Sequence, residues 1–468
     1  MTTYSAVVTT GIYCRPGCGS QPLAENVRTF ELPAAAEANG FRACLRCRPW
    51  RVAGPVAADV PELLCRAVQL IVAGALDTGT EAALGARLAV SPRHLRRLFT
   101  QHLGVTPDQL ARSRRAHFAR RLLDDTDLTV ADVAFASGFG SVRQFNRDIR
   151  LVFQASPVEL RSRRRRADRL VADGGLVLRL PFAPPLHWPG LLAFLAERAA
   201  PGVESVREGV YRRTISLDGA AGLLEVCASG EDHLLLRAHL PFWEGLIHIV
   251  ERVGRIFGVD ADMAPAEAAL AGDPLIGPLI AARPGLRVPG AWGAFEIAVD
   301  AVLGQYADRP LVRERMAALV EAAGQPVPGL GDGLTHLFPS AETVATADLK
   351  GAGLPAETAD TLRTLALAAA RDDTLFDRGS PLADVVRGLA AVPGVTEDTA
   401  QRIALRLGYD DAFPAVGRAD AATRGEAGAE DVEIGAAAED GESGAAWRPW
   451  RAFAATHLAV AAFPALTA

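Results

Sequence analysis

The sequence has no uninterrupted run of about eighteen apolar residues, although 49% of its 468 residues are hydrophobic. That patterning excludes a conventional membrane-spanning helix and favours packed cores. The opening MTTYSAVVTT lacks a basic stretch followed by an apolar segment, so no secretory leader is expected there. A cytosolic, reducing setting is therefore expected, in which clustered cysteines bind metal or react. Cysteines number only six. Lysine is missing from the first 170 residues, which hold 25 arginines against 15 carboxylates, a net charge of about +10. The rest of the chain has 24 basic and 40 acidic residues, about −16. A basic first third beside an acidic remainder points to nucleic-acid contact through the first part.

What is present divides the chain into parts. Residues 1–52 contain four of the six cysteines and are too few to bury a sizeable core, so they need a staple. Cys14, Cys18, Cys44 and Cys47 form the spacing C-x3-C and C-x2-C. Each pair can wrap one side of a tetrahedral ion, and four thiolates suit one Zn²⁺. Spacing alone leaves open whether this is a closed structural site or one with a reactive sulfur.

The flanking residues extend the pattern. TTGIYCRPGC followed by GFRACLRCRP resembles the N-terminal domain of the Ada family of alkylation-repair regulators. The resemblance implies that Cys14 is both a zinc ligand and a nucleophile that takes a methyl group from a DNA methylphosphotriester. Arg15, Arg42, Arg46 and Arg48 are the candidates for contact with the DNA backbone. Methylating one of four thiolates lowers the site's negative charge, so tighter DNA binding is expected afterwards.

Residues 61–166 read as amphipathic helices. In 80-TEAALGARLAVSPRHLRRLFTQHLGVTP-107, Ser91 and Pro92 supply an N-cap and a first helical proline. The helix then presents Arg93, His94, Arg96 and Arg97, with Leu95, Leu98 and Phe99 inward. In 129-TVADVAFASGFGSVRQFNRDIRLVFQASPVEL-160, Gly138 makes the turn and Ser141 caps. Arg143, Gln144, Asn146 and Arg147 then face outward, residue types that suit base edges in a major groove. The region resembles the AraC-type DNA-binding domain, which implies two helix-turn-helix units in adjacent grooves.

From 176-LVLRLPFAPPLHWPG-190 the pattern alternates like strands, and from about 259 it is helical again. DPLIGPLIAARPGLRVPGAW, FEIAVDAVLGQ and WRPWRAFAATHL resemble the AlkA-type 3-methyladenine DNA glycosylases. That implies a small α+β domain, then a helical domain with a helix-hairpin-helix that flips an alkylated base into an aromatic pocket. The hairpin is expected in 389–420, with Gly394 approaching a DNA phosphate. Here the sequence departs from the family pattern. Thr396 replaces the second hairpin glycine, Asp398 stands at the tryptophan position, and 304-GQYADRP-310 replaces GQQVS. The catalytic aspartate position, counted from Phe413-Pro414, falls on Gly417. Asp420 is the nearest substitute carboxylate downstream, and Asp410 and Asp411 precede it. Residues 418–446, with eight acidic and two basic side chains, read as a weakly structured loop. Cys65 and Cys227 read as buried core, and His187 as a packing residue.

The expected fold is therefore multidomain, mainly α with α+β parts. The expected domains are a zinc domain at 1–52, helix-turn-helix units at 61–166, an α+β domain at 174–258 and a helix-hairpin-helix domain at 259–468. The expected function is an alkylation-damage response protein that accepts a methyl group on Cys14 and binds double-stranded DNA as a transcription regulator. It would carry a glycosylase-like domain impaired by loss of its aspartate. RNA polymerase is a further expected partner, and the location is cytoplasmic, at the nucleoid. Two other readings are a fully active bifunctional repair enzyme and a non-catalytic zinc-containing DNA-binding regulator. Base release from alkylated DNA separates the former, and methyl uptake on Cys14 the latter.

Overall fold

The structure is a computed structural model that describes residues 3–15, 18, 22–49, 61–165, 168–170, 175–372, 374–414 and 441–462. The chain begins with β1 (Tyr4–Val7), β2 (Ile12–Cys14), β3 (Val27–Phe30), α1 (Pro33–Ala38) and β4 (Arg42–Ala43). A helical run follows: α2 (Glu62–Val72), α3 (Glu81–Arg87), α4 (Pro92–Leu103), α5 (Pro107–Asp125), α6 (Val130–Ala136), α7 (Val142–Phe153) and α8 (Pro157–Ser162). Then come β5 (Leu176–Pro181), α9 (Trp188–Arg198), β6 (Glu204–Arg207), β7 (Val210–Leu217), β8 (Ala220–Ala228), β9 (His233–His239) and α10 (Leu246–Phe257). The remainder holds α11 (Ala264–Leu270), α12 (Ile276–Ala282), α13 (Ala294–Gln305), α14 (Arg309–Ala323), β10 (Gln325–Pro326) and β11 (His336–Leu337). It closes with α15 (Ala341–Thr346), α16 (Ala356–Arg371), α17 (Leu382–Ala390), α18 (Glu397–Leu407), α19 (Gly441–Ala446) and α20 (Arg451–Ala461).

These elements form two compact units, residues 1–183 with 232–254, and residues 184–231 with 255–468. In the first, the short strands make a sheet in the order β3-β1-β2-β4. β1 pairs antiparallel with β2, setting Ser5 opposite Cys14, and β4 runs parallel to β2. Leu64, Ile71, Leu84, Leu95 and Phe99 form the helical core beside this sheet. The axis of the helical part is α5, started by a capping box: the Thr106 hydroxyl accepts from Gln109 N, and the Gln109 side chain accepts from Thr106 N. β5 and β9 pair antiparallel, and Arg179 on β5 binds Asp125 at the end of α5 at 2.8 Å.

In the second unit β6, β7 and β8 form an antiparallel meander. The helical core surrounds α13, where Ile297 through Leu303 are all buried, as expected of a helix apolar on every side. Its partners include Leu362 and Leu365 on α16 and Ala400 and Ile403 on α18. Asp300, the charged residue within this stretch, is held by Arg309 at 3.0 Å.

Three sequence expectations need correction. Cys65 and Cys227 are half-buried rather than core. The stretch after 259 includes the short antiparallel pair β10–β11. Residues 441–446 of the expected loop form α19, while 418–440 lie outside the described residues.

Candidate metal centre and DNA-facing elements

β2 ends at Cys14, so the strand itself delivers the first sulfur. The Cys44 N–H donates to Tyr13 O at 2.9 Å, which seats the second pair beside the first. A tight turn follows, closed by Arg48 N–H to Cys44 O at 3.0 Å, with Arg48 in the left-handed region at φ 52°. The sulfurs of Cys14, Cys18, Cys44 and Cys47 all lie within 4.8 Å of one another. A tetrahedral zinc with bonds of about 2.3 Å sets its sulfurs roughly 3.8 Å apart, so the cluster has the required size. None of the six cysteines, all among the described residues, is in a disulfide. Burial, then the neighbouring Cys44 and Cys47, push the Cys14 thiol far above its usual range. Burial also pushes Cys47 up to about 12, opposed by the Arg15 backbone N–H that bonds to it. Four sulfurs so placed ionise together only when a cation balances them. The donor set therefore fits one Zn²⁺ held by four cysteines.

The surrounding arginines differ in their commitments. Arg46 is exposed, Arg15 is half-buried, and Arg42 donates to Ala43 O at 3.4 Å. Arg48 is committed elsewhere: its Nη1 binds Asp168 Oδ1 at 2.6 Å. Cys14 itself is buried, with 6% of its surface exposed.

The first helix-turn-helix is α3–α4. Ser91 Oγ accepts from His94 N at 3.2 Å, Pro92 opens α4, and Gly104 ends it at φ 67°. Leu95, Phe99 and Leu103 are buried, which leaves Arg93, Arg96 and Arg97 exposed. Arg96 binds Glu81 of α3, and Arg97 bonds His94 Nδ1 at 3.0 Å. The second unit is α6–α7. Thr129 and Asp132 form a capping box, Gly138 turns at φ 77°, and Ser141 caps α7. Phe145, Ile149 and Phe153 are buried while Arg143 and Arg147 are exposed. Gln144 and Asn146 are half-buried. Asn146 is turned back on its own helix, its Nδ2 donating to Val142 O at 2.8 Å, so it is less outward than expected.

In the second unit, the hairpin is α17, a turn and α18. Gly394 sits in the turn, exposed, at φ 90°. Thr396 is the N-cap of α18, its hydroxyl accepting from Thr399 N at 3.2 Å. Asp398 pairs with Arg402 one turn on, at 2.8 Å. Gln305, at the end of α13, was not singled out from the sequence, yet it holds this turn together. Its Nε2 donates to Gly394 O at 2.8 Å, and its Oε1 accepts from Thr396 N at 3.2 Å and Thr399 Oγ1 at 2.7 Å. Asp411 is occupied by Arg451 at 2.7 Å and Arg448 at 3.0 Å. Gly417 and Asp420 lie outside the described residues. His187 caps α9, its Nδ1 accepting from Gly190 N at 3.1 Å. No helix among the described residues is long and apolar enough to cross a membrane.

Comparison with known proteins matches three families in order. The metal binding domain of Ada covers residues 2–49, a helix-turn-helix domain 84–163, and the AlkA N-terminal domain 177–293. A Mycobacterium tuberculosis protein named "Probable bifunctional transcriptional activator/DNA repair enzyme AlkA" is 38% identical over 461 residues, 97% of this chain and 91% of the relative. The Escherichia coli DNA-3-methyladenine glycosylase 2 is 28% identical over 286 residues, 60% of this chain and 95% of that enzyme. The Escherichia coli bifunctional transcriptional activator/DNA repair enzyme Ada is 38% identical over 120 residues, 25% of this chain and 32% of that protein. The zinc-type cysteine cluster, the paired helix-turn-helix units and the glycosylase-like part thus occur together in a relative of nearly the same extent, and the chain belongs to the family of bifunctional transcriptional activator/DNA repair proteins that joins an Ada metal-binding domain to an AlkA-like domain.

Proposed function

We propose that Cys14 is the acceptor in a single-turnover methyl transfer from DNA methylphosphotriesters. The observation that carries this reading is the cluster of four sulfurs within 4.8 Å, in the same compact unit as two helix-turn-helix pairs with exposed arginines. Zinc, when bound, keeps the cysteines as thiolates at neutral pH. The Cys14 sulfur attacks the methyl carbon with its own electron pair. A carbon–sulfur bond forms, the carbon–oxygen bond breaks, and the phosphate leaves as the ordinary diester anion. Cys14 becomes a thioether and does not turn over. Arg15 and Arg46 supply positive charge for the DNA backbone, and burial of Cys14 limits competing electrophiles.

In this reading, α4 and α7 read double-stranded DNA through Arg93, Arg96, Arg97, Arg143, Gln144, Asn146 and Arg147. Methylation lowers the negative charge of the thiolate cluster and strengthens binding at a promoter, where RNA polymerase is the partner of the activated protein. The site of action is the cytoplasmic nucleoid. Base excision by the glycosylase-like part is weak or absent, because Gly417 stands where the family carries its aspartate. Asp420 is the candidate substitute.

Intact-mass analysis after incubation with duplex carrying methylphosphotriesters tests the first step. The chain should gain one methyl group, located on Cys14, and Cys14→Ala, with its zinc content measured, should gain none. An unmodified wild-type chain would refute the reading. Release of 3-methyladenine from alkylated DNA by the purified protein, abolished in Asp420→Ala, would overturn the impaired-excision reading.

A further inference from the structure

Three contacts in the first unit join the cysteine-bearing sheet to the helix-turn-helix part. Glu37 on α1 is the centre of the first. Its Oε1 accepts the Tyr13 hydroxyl at 2.7 Å and lies 2.6 Å from His117 Nε2 on α5. Tyr13 is the residue before Cys14, and its hydroxyl is also 3.3 Å from His117 Nε2. The His117 ring lies 5.7 Å from that of Phe153 on α7. The second contact is the Arg48–Asp168 pair, which ties the residue after Cys47 to the chain beyond α8 at 2.6 Å. In the third, Gln154 Nε2 at the end of α7 donates to Gly40 O at 3.3 Å, and β4, the strand leading into Cys44, packs on α7.

We infer that the zinc-binding part and the second helix-turn-helix form one rigid DNA-reading body, coupled through His117–Glu37–Tyr13 and Arg48–Asp168. α7 is then supported from behind by β4, the strand that leads into Cys44. The phosphate sampled beside Cys14 lies at a fixed distance from the base pairs read by α7, and loss of the metal loosens α7. The DNA consequence rests on the function proposed above, whereas the coupling is a property of the protein alone. Arg48 acts within the protein, held by Asp168, rather than at the DNA backbone.

Hydrogen exchange on the full chain tests the coupling, with zinc bound and after removal by a chelator under reducing conditions. Zinc removal should speed exchange in β1–β2. It should also speed exchange about tenfold in α5 around 113–121 and in α7, with α3 unchanged. In His117→Ala/Asp168→Ala, with zinc content measured directly, α5 and α7 should exchange fast whether or not zinc is present. Glu37→Gln, which keeps an acceptor for Tyr13 but loses the charge facing His117, should respond in between. Faster exchange in β1–β2 with α5 and α7 unaffected in the wild type would overturn the inference. A chain that takes up no methyl group yet shows zinc-dependent protection of α7 would refute only the methyl-transfer reading. If the double variant does not hold zinc, the wild-type comparison alone decides.

Discussion

Substituting Gly394 by alanine tests whether the hairpin turn is as tightly determined as its contacts indicate. The residue sits at φ 90°, in the left-handed region, where an L side chain costs about 1–2 kcal/mol. A Cβ built there would fall 2.2 Å from Thr361 Oγ1 and 2.9 Å from its Cγ2. Thr361 is buried on α16 and cannot swing into solvent, so the overlap adds about 1–3 kcal/mol. Together Gly394→Ala should destabilise the hairpin by roughly 2–5 kcal/mol. Native-state amide exchange in the first turns of α18 reads this locally, without unfolding the whole chain. Adding Thr361→Ala removes the overlapping atoms but not the backbone strain. The double variant should therefore recover about half the loss, a non-additive result. A Gly394→Ala protein within about 0.5 kcal/mol of wild type, or strict additivity with Thr361→Ala, would refute the reasoning.

Two further predictions concern the second unit. His457 on α20 is fully buried, and burial lowers its pKa from 6.5 to about 4. The ring must be neutral in the folded chain, so stability is full above about 6.5 and falls as the pH drops from there towards about 4. The loss reaches up to about 3 kcal/mol; urea midpoints against pH should show it, and His457→Gln should flatten that slope. Arg213 on β7 is 1% exposed and binds Glu296 at 2.9 Å and Glu204 at 3.3 Å. Arg213→Met should cost about 3–5 kcal/mol in denaturant unfolding, because it leaves two half-buried carboxylates without their cation. The loss should be smaller at acid pH, where Glu296, whose pKa burial already raises, takes up a proton. An equal loss at pH 5 and pH 8 would refute this account.

Features that depend on neighbouring residues were legible in the sequence. Ser91-Pro92, Gly138 and Ser141 announced their helix boundaries because caps and left-handed turns are local devices. The cysteine spacing announced a metal site for the same reason. Pairings between distant residues left no such trace. Arg48 meets Asp168 across 120 positions, and Gln305 reaches Thr396 across 91. No period or motif links such residues, so Arg48 read as a backbone-contacting arginine when its guanidinium is already engaged. Asn146 misled differently: the helical period placed it near the outer face, but an amide on a helix can bond the carbonyl four residues back.

The hairpin shows how residues that depart from a family motif are used within the fold. Thr396, which replaces the second hairpin glycine, is exposed and supplies the N-cap that starts α18. A glycine there would offer no hydroxyl to Thr399 N or to Gln305. Asp398, at the tryptophan position, pairs with Arg402. Gln305, which matches the GQ of GQQVS just before the departure at Tyr306, accepts from both threonines while gripping the Gly394 carbonyl. Both departing positions are engaged within the fold, and the retained Gln305 holds the first of them. On the proposed reading, weak base excision comes from the carboxylate missing at Gly417 and not from the turn, whose contacts are intact. Restoring the carboxylate alone, in Gly417→Asp, is then the direct test. Measurable release of 3-methyladenine would locate the defect there. No release, with the hairpin's exchange protection intact, would move it to the Asp398–Arg402 pair.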